Sequence, residues 1–295
     1  MSLIKSIICL PFLFYLVTSL LGCKQDTKLN ASEETPFDTA ALTYPDHIIV
    51  VWFENKGFDK IIGAGHAPYI HSLAARGTLF TNMYALTHPS YPNYVSFFAG
   101  QPNGVKGDAC INSSKLITPN LYTVLKSAGK TFAWYSEDLP YTGSKVCRHN
   151  NYVERHNPTT IFANVPDSIN KRFADFPDDY KQLENVVCVT PNLMNDMHDG
   201  TIEQGDAWLK YHFASLVDWC TTHNSIFVIY FDESDTGNDN RIPVIAVGER
   251  VKAGYQSNTR YDHYNWTKTI CSMFHAPNAW TINLLSGKEI YGCWK

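Results

Sequence analysis

The chain has 295 residues, 44% of them hydrophobic and 18% charged, with a formal net charge of −4. That length accommodates one large α/β domain with a sizeable core, and the balance is that of an ordinary globular protein. There is no basic tract, so the sequence points away from nucleic-acid binding.

The first element is a targeting segment. Lys5 precedes an apolar stretch from Ile7 to Leu21 that runs into Gly22-Cys23. A charged start, an apolar centre and small residues at a cleavage point read as an export leader over 1–22. Leu20-Leu21-Gly22-Cys23 resembles a bacterial lipobox, which implies cleavage before Cys23 and a lipid on that cysteine. A plain signal or a single membrane anchor is the alternative. Residues 23–45 are polar and read as a tether, and 46–295 as the folded domain. The expectation is an exported, membrane-anchored lipoprotein, periplasmic or on the cell surface.

Within the domain, Ile48–Phe53 is a short apolar run that ends directly in Glu54-Asn55. Pro68 to Gly77, with an early Pro and a terminal Gly, predicts a helix. Residues 79–84 read as a strand. Thr87 to Gly100 opens a helix with Pro92 in its first turn, which puts Ser90 at a helix N-terminus, as a cap or as an anion-binding hydroxyl. A helix over 120–128 and a strand over 131–135 follow. Residues 136–180 lack a clear period and read as an insertion or cap. Then come a strand over 186–189, a helix over 202–219, the apolar run Ile226–Phe231 ending in Asp232-Glu233, a strand over 242–247 and a helix over 266–274.

Alternating strands and helices imply a mostly parallel sheet covered on both faces, and continuous apolar runs fit strands buried on both sides. Sites in such folds lie outside the carboxyl ends of the strands. Two strands ending in Glu54-Asn55 and Asp232-Glu233 therefore predict one acidic cluster of the kind that holds hard cations. Asp235, Asn238, Asp239 and Asn240 form a further polar run that reads as a solvated loop.

Cys110, Cys147, Cys188, Cys220, Cys271 and Cys293 follow the lipobox. An even number in an exported chain suggests disulfides, with sequence neighbours pairing as the simplest arrangement. No Cys-x-x-Cys spacing supports metal ligation.

The pieces Val51-Trp-Phe-Glu-Asn55, Pro68-Tyr-Ile70, His88-Pro-Ser-Tyr-Pro-Asn-Tyr94, Arg155-His-Asn-Pro158, Pro191 to Asp199, Phe231-Asp-Glu233 and Tyr261-Asp-His-Tyr264 occur in an order that resembles a bacterial phosphoesterase family. That family contains acid phosphatases and phosphocholine-type phospholipases C, within the alkaline-phosphatase-like superfamily. The pattern looks most like the compact secreted acid phosphatases and phosphatidylinositol-3-phosphate phosphatases. The resemblance implies a three-layer α/β core with a mostly parallel sheet and a small insertion or cap.

It also implies roles. Glu54, Asn55 and Asp232 match metal ligands, with Glu233 beside them, and Ser90 matches a nucleophile that also touches the metal. Asn93 matches a residue that holds a phosphate oxygen. His156, His198 and His263 match histidines around the phosphoryl or leaving group, with His198 and His263 as catalytic candidates. Asp196 joins them as a substrate-site or second-metal residue. The implied activity is hydrolysis of a phosphate monoester through a phosphoserine, dependent on one or two divalent cations. The substrate is then a small phosphate ester or a phospholipid headgroup. A phosphodiesterase or phospholipase C on the same site is the alternative, as is a non-catalytic lipoprotein that binds phosphorylated ligands. A sulfatase pattern is not matched, because Tyr94 stands where those enzymes carry Arg.

Overall fold

The computed structural model describes residues 42–111, 113, 115–235 and 239–295. The leader and lipid-attachment readings fall on residues outside these. The fold already includes residue 42. Thr43 is buried, Asn224 Nδ2 donates to the Tyr44 carbonyl at 3.1 Å, and the Tyr44 ring stacks on His275. The last residues of the expected tether thus pack on the domain.

The strands are β1 (His47–Phe53), β2 (Thr78–Phe80), β3 (Met83–Tyr84), β4 (Phe132–Ser136), β5 (Arg148–His149), β6 (Tyr152–Val153), β7 (Asn170–Arg172), β8 (Val186–Thr190), β9 (Ser225–Phe231), β10 (Val244–Gly248), β11 (Tyr255–Ser257) and β12 (Tyr261–Asp262). Eight of them form one sheet in the order β11-β2-β10-β9-β1-β8-β4-β7. From β7 to β9 all neighbours are parallel, and Ile48 lies opposite both Val186 and Ile226. Only β10 runs against its neighbours β9 and β2. β1 is buried from Ile48 to Phe53, as a strand covered on both faces must be.

The α-helices are α1 (Phe58–Ile62), α2 (Pro68–Arg76), α3 (Ser90–Ala99), α4 (Leu121–Ser127), α5 (Ile202–Cys220), α6 (His263–Met273) and α7 (Ile282–Ser286). Helix α6 packs on both α3 and α4, and α2 packs on α5. Trp52 and Tyr230, in register on β1 and β9, meet Phe97 of α3, whereas Phe227, of the opposite pleat, meets Phe213 of α5. The helices therefore cover both faces of the sheet, and the three layers share one core.

Several boundaries differ from expectation for local reasons. The 79–84 run breaks at Thr81-Asn82 into β2 and β3. Pro243 has no N–H to donate, so the strand expected over 242–247 begins at Val244. Helix α6 starts at His263 because the Asp262 carboxylate accepts the Tyr264 and Asn265 N–H groups. Gly77 does end α2, but in an extended conformation. A Cβ there would sit 2.0 Å from the Ala246 carbonyl oxygen, so the glycine serves the close approach of β10. Residues 136–180 are more than a cover: β7 extends the main sheet beside β4, and the β5–β6 hairpin leads into a short 3₁₀ turn, Glu154–His156.

The expectation that all six cysteines pair is corrected. Cys110 and Cys147 form a disulfide, while Cys188, Cys220, Cys271 and Cys293 are free and buried. Each of these four lies in the apolar core, where a thiol packs as a small hydrophobe. Burial raises their pKa values, that of Cys220 to about 12, which keeps them protonated and inert.

Candidate active site

The site is built where β1, β8 and β9 end together. Glu54 follows β1, Asp232 and Glu233 follow β9, and the turn after β8 carries Asp196 and His198. Ser90 is the first residue of α3, whose N-cap is Pro89. Glu54, Ser90, Asp196, Asp232 and Glu233 are all buried. The Ser90 hydroxyl lies 2.9 Å from Glu54 Oε2 and 3.1 Å from Glu233 Oε1. A single hydroxyl proton serves one of these at a time, so Ser90 stands between two bases.

The electrostatics are extreme. Burial, then the Glu233 charge, pushes Asp232 up to about 7, and burial likewise takes Glu233 to about 7. Burial and neighbouring aspartates hold Glu54 and Asp196 well above the usual carboxylate range. Charges crowded away from water in this way favour protonation unless a cation neutralises them. Asp232 Oδ1 accepts the Asn55 N–H at 3.0 Å, while its buried Oδ2 makes no hydrogen bond of good geometry among the described residues, although Ser90 and Glu54 lie close enough to act on the carboxylate. Asn55 itself is left-handed, with φ +50°, which turns the chain so that its N–H reaches Asp232.

Glu54, His156 and Asp196 form a group whose ligand atoms all lie within 4.8 Å of one another. His156 Nδ1 is 3.1 Å from Asp196 Oδ2, and its Nε2 is 3.3 Å from Glu54 Oε1. The second approach is out of line for a hydrogen bond, so Nε2 is left without one. Burial, then the Arg155 charge, drives the His156 pKa down, and the neutral imidazole that results is a competent ligand. The geometry thus brings His156, expected beside the substrate, and Asp196, expected at the substrate or a second metal, together with Glu54 in a group that could hold a cation.

The other expected residues divide. His198 is half-buried next to this group, with its N–H on Asp196 Oδ1 at 2.8 Å and its Nδ1 2.6 Å from Asp199. His263 is fully buried, and both ring nitrogens are engaged, by the Tyr230 hydroxyl at 2.9 Å and the Asp232 carbonyl at 2.8 Å. It does not stand where a proton donor to a leaving group would; it fixes the backbone of Asp232. Asn93 is also buried and saturated. Its Oδ1 accepts the Leu86 and Thr87 N–H groups, and its Nδ2 donates to the Thr87 and Pro89 carbonyls. That side chain staples the loop before Ser90 and has no group left for a phosphate oxygen.

Four participants went unassigned in the sequence. The Tyr94 hydroxyl donates to Glu54 Oε1 and its ring stacks on His156. Its place four residues after Ser90, on the same helical face, was the available signal. His88 Nδ1 is 2.5 Å from Glu233 Oε2, which leaves Oε1 for Ser90. Lys56 Nζ donates to the Met197 carbonyl at 2.7 Å, and the charges of Asp196 and Glu54 act on it. Asp108, which no motif marks, accepts the Tyr91 N–H at 3.0 Å.

Comparisons with known proteins show the family and the fold. The model of the Phosphoesterase family matches residues 64–277. A phosphatidylinositol-3-phosphatase of Mycobacterium tuberculosis is 42% identical over 234 residues, which is 78% of this chain and 77% of the relative. A probable acid phosphatase of Kluyveromyces lactis is 30% identical over 248 residues, 78% of this chain but 58% of that longer protein. Among solved structures, a Vibrio parahaemolyticus protein of the alkaline phosphatase superfamily shares the fold. Its TM-score is 0.58 at 13% identity, over 84% of this chain and 70% of the other. A phosphonate monoester hydrolase of Silicibacter pomeroyi does likewise, with a TM-score of 0.57 at 12% identity over 83% and 76% of the two chains.

Proposed function

Because this chain belongs to the Phosphoesterase family, a family of hydrolases, we propose that it is a cation-dependent phosphomonoesterase in which Ser90 is the nucleophile. The observation that carries this reading is the Ser90 hydroxyl at a helix start, between the Glu54 and Glu233 carboxylates. The residues suit a divalent cation: four buried carboxylates, a neutral buried imidazole, and an Asp232 Oδ2 that makes no hydrogen bond among the described residues. Glu54, Asp196, His156 and Asp232 are the groups that would hold it. When bound, such an ion offsets the charge of the carboxylates and phosphoryl oxygens and makes the serine hydroxyl more acidic.

In this mechanism Ser90 gives its proton to Glu233 or Glu54 as Oγ bonds to phosphorus and the ester P–O bond breaks. His88 orients Glu233 for that transfer by holding its other oxygen. The departing alkoxide takes a proton from His198, whose ring is half-exposed and fixed through Nδ1 by Asp199. His198 then accepts a proton from the water that attacks the phosphoserine, and as the P–Oγ bond breaks Ser90 takes back its proton from Glu233 or Glu54 and phosphate is released. His263 acts at one remove, by fixing the main chain of Asp232.

The named activities of the M. tuberculosis and K. lactis relatives favour a monoester. The deciding experiment compares p-nitrophenyl phosphate, its bis-ester and phosphatidylcholine, with and without chelator. The monoester should show the highest kcat/KM, lost on chelation and restored by a divalent cation. A preference for either diester would promote the phospholipase C reading. From the leader pattern alone we also infer export and lipid attachment at Cys23; wild-type protein that does not label with a palmitate analogue would overturn that.

A further inference from the structure

We propose that Arg155 and the Tyr91 backbone N–H grip the phosphate of the substrate, and that the Asp108 carboxylate is a placeholder that occupies these donors until substrate displaces it. The proposal rests on the phosphatase reading above.

Tyr91 directly follows Ser90 in the first turn of α3, where N–H groups have no partner within the helix. Pro92 has no N–H at all, so Tyr91 supplies the donor next to the nucleophile. That donor is taken by Asp108 Oδ1 at 3.0 Å. The other oxygen of the same carboxylate, Oδ2, lies 3.7 Å from Arg155 Nε. At that distance no hydrogen bond forms, and among the described residues Arg155 Nε is a buried donor without an acceptor. A tetrahedral phosphate, larger than a carboxylate and with more oxygens, can reach both donors together. A guanidinium is suited to that task by its planar fork.

The placement allows displacement. Arg155 precedes His156 on the 3₁₀ turn that supplies the cation-binding group, and Glu154 ties that turn to α3 through the Tyr91 hydroxyl at 3.0 Å. The backbone that carries the arginine is therefore held in place. Asp108 is the more exposed of the pair, with 33% of its side chain open to solvent against 20% for Arg155. Its loop is anchored just beyond it, at the Cys110–Cys147 disulfide and at the Ile111 N–H on Glu154. Before it, Gly104 is left-handed and neither Gly104 nor Gly107 has a neighbour that a Cβ would meet. The carboxylate can swing out without disturbing the core.

The test uses the full chain with its cation and measures the inhibition constant of inorganic phosphate beside kcat and KM for p-nitrophenyl phosphate. Arg155→Gln should raise both the phosphate constant and KM at least about tenfold, and Arg155→Lys should fall between, since a point charge replaces a fork. Asp108→Asn keeps an acceptor for the Tyr91 N–H but removes the competing charge, so it should tighten phosphate by about threefold. Phosphate inhibition unchanged within about twofold in Arg155→Gln overturns the proposal, as does weaker phosphate binding in an Asp108→Asn protein that melts like wild type. Should Asp108→Asn melt early, the arginine variants decide. If the wild-type chain cleaves no phosphomonoester, the functional reading fails separately. The rise in melting temperature with added inorganic phosphate then ranks the same variants, and no rise in the wild type overturns the proposal.

Discussion

Ser90 and Tyr94, one turn apart on α3, hold opposite oxygens of the Glu54 carboxylate. The helix thus fixes the rotation of an acid that belongs to a strand end, so that one oxygen faces the nucleophile and the other faces His156. Tyr94→Phe keeps the ring stacked on His156 but leaves a buried carboxylate oxygen short of a donor, a change of about 1–3 kcal/mol. The expected outcome is cation affinity weakened by about tenfold or more, read by titrating activity of the chelated enzyme with metal. Equal affinity in the variant would remove Tyr94 from the site.

Ser90→Ala should lower turnover by at least about a thousandfold, as loss of a covalent nucleophile does. The variant should fold, because the hydroxyl's hydrogen bonds go to the carboxylates of the site and not to the core. Circular dichroism and a p-nitrophenyl phosphate assay check both halves. Near-normal turnover would sink the phosphoserine route.

Asp232→Ala removes a buried carboxylate whose Oδ2 makes no hydrogen bond among the described residues. Purified variant should carry markedly less metal per protein than wild type, by elemental analysis after identical dialysis. An unchanged ratio would leave the cation to Glu54, His156 and Asp196 alone.

Stability of the chelated protein should depend on pH in a definite direction. Asp232 and Glu233 titrate near 7 in the fold, against about 4 when unfolded. A raised carboxylate pKa gives stability that is full below the unfolded value and lost as pH climbs through the folded one. His263 runs the other way: burial lowers it to about 4, so its contribution is lost as pH falls below the unfolded value of about 6.5. The two trends oppose each other at acid pH, and above about 6.5 only the carboxylate loss remains. Chelated protein should therefore melt lower at pH 8 than at pH 6.5, and a divalent cation should reverse the drop. Calorimetry showing a flat profile with chelator would contradict these shifts.

Thiol titration offers a separate check. A chain beginning after Cys23 should show four reactive thiols when denatured without reductant, from Cys188, Cys220, Cys271 and Cys293. In the native state nearly none should react, because all four are buried. No reactive thiols on denaturation would restore the fully paired arrangement.

The framework of the fold was legible because it is written in local runs. Ile48–Phe53 and Ile226–Phe231 are short continuous apolar stretches rich in β-branched and aromatic residues, as strands buried on both faces are. The acidic residues after them marked the site by the same logic. What the sequence could not convey was which atoms each polar side chain satisfies. Asn93 and His263 sit in matching motifs, yet their hydrogen bonds are used up by the Ser90 loop and by the Asp232 backbone. Asp108 was invisible because its partner, a backbone N–H, has no letter in the sequence. The cysteine count misled for a related reason: parity says nothing of whether a thiol is packed as a small apolar side chain.

Strands β1 and β9 are neighbours, yet the Asn55 N–H and the Asp232 carboxylate that it meets are 177 residues apart. Contacts of that span close slowly, because loop entropy is lost before they form. The acidic pocket therefore does not exist in any N-terminal fragment that stops short of β9. A chain emerging from synthesis carries Glu54 as an ordinary solvated acid until the later strand arrives. In the cation-dependent reading proposed above, the full set of candidate ligands, with Asp232, comes together only when β9 docks, so a chain cleaved between the two strands before folding is expected to retain less metal even where most of its helices can form.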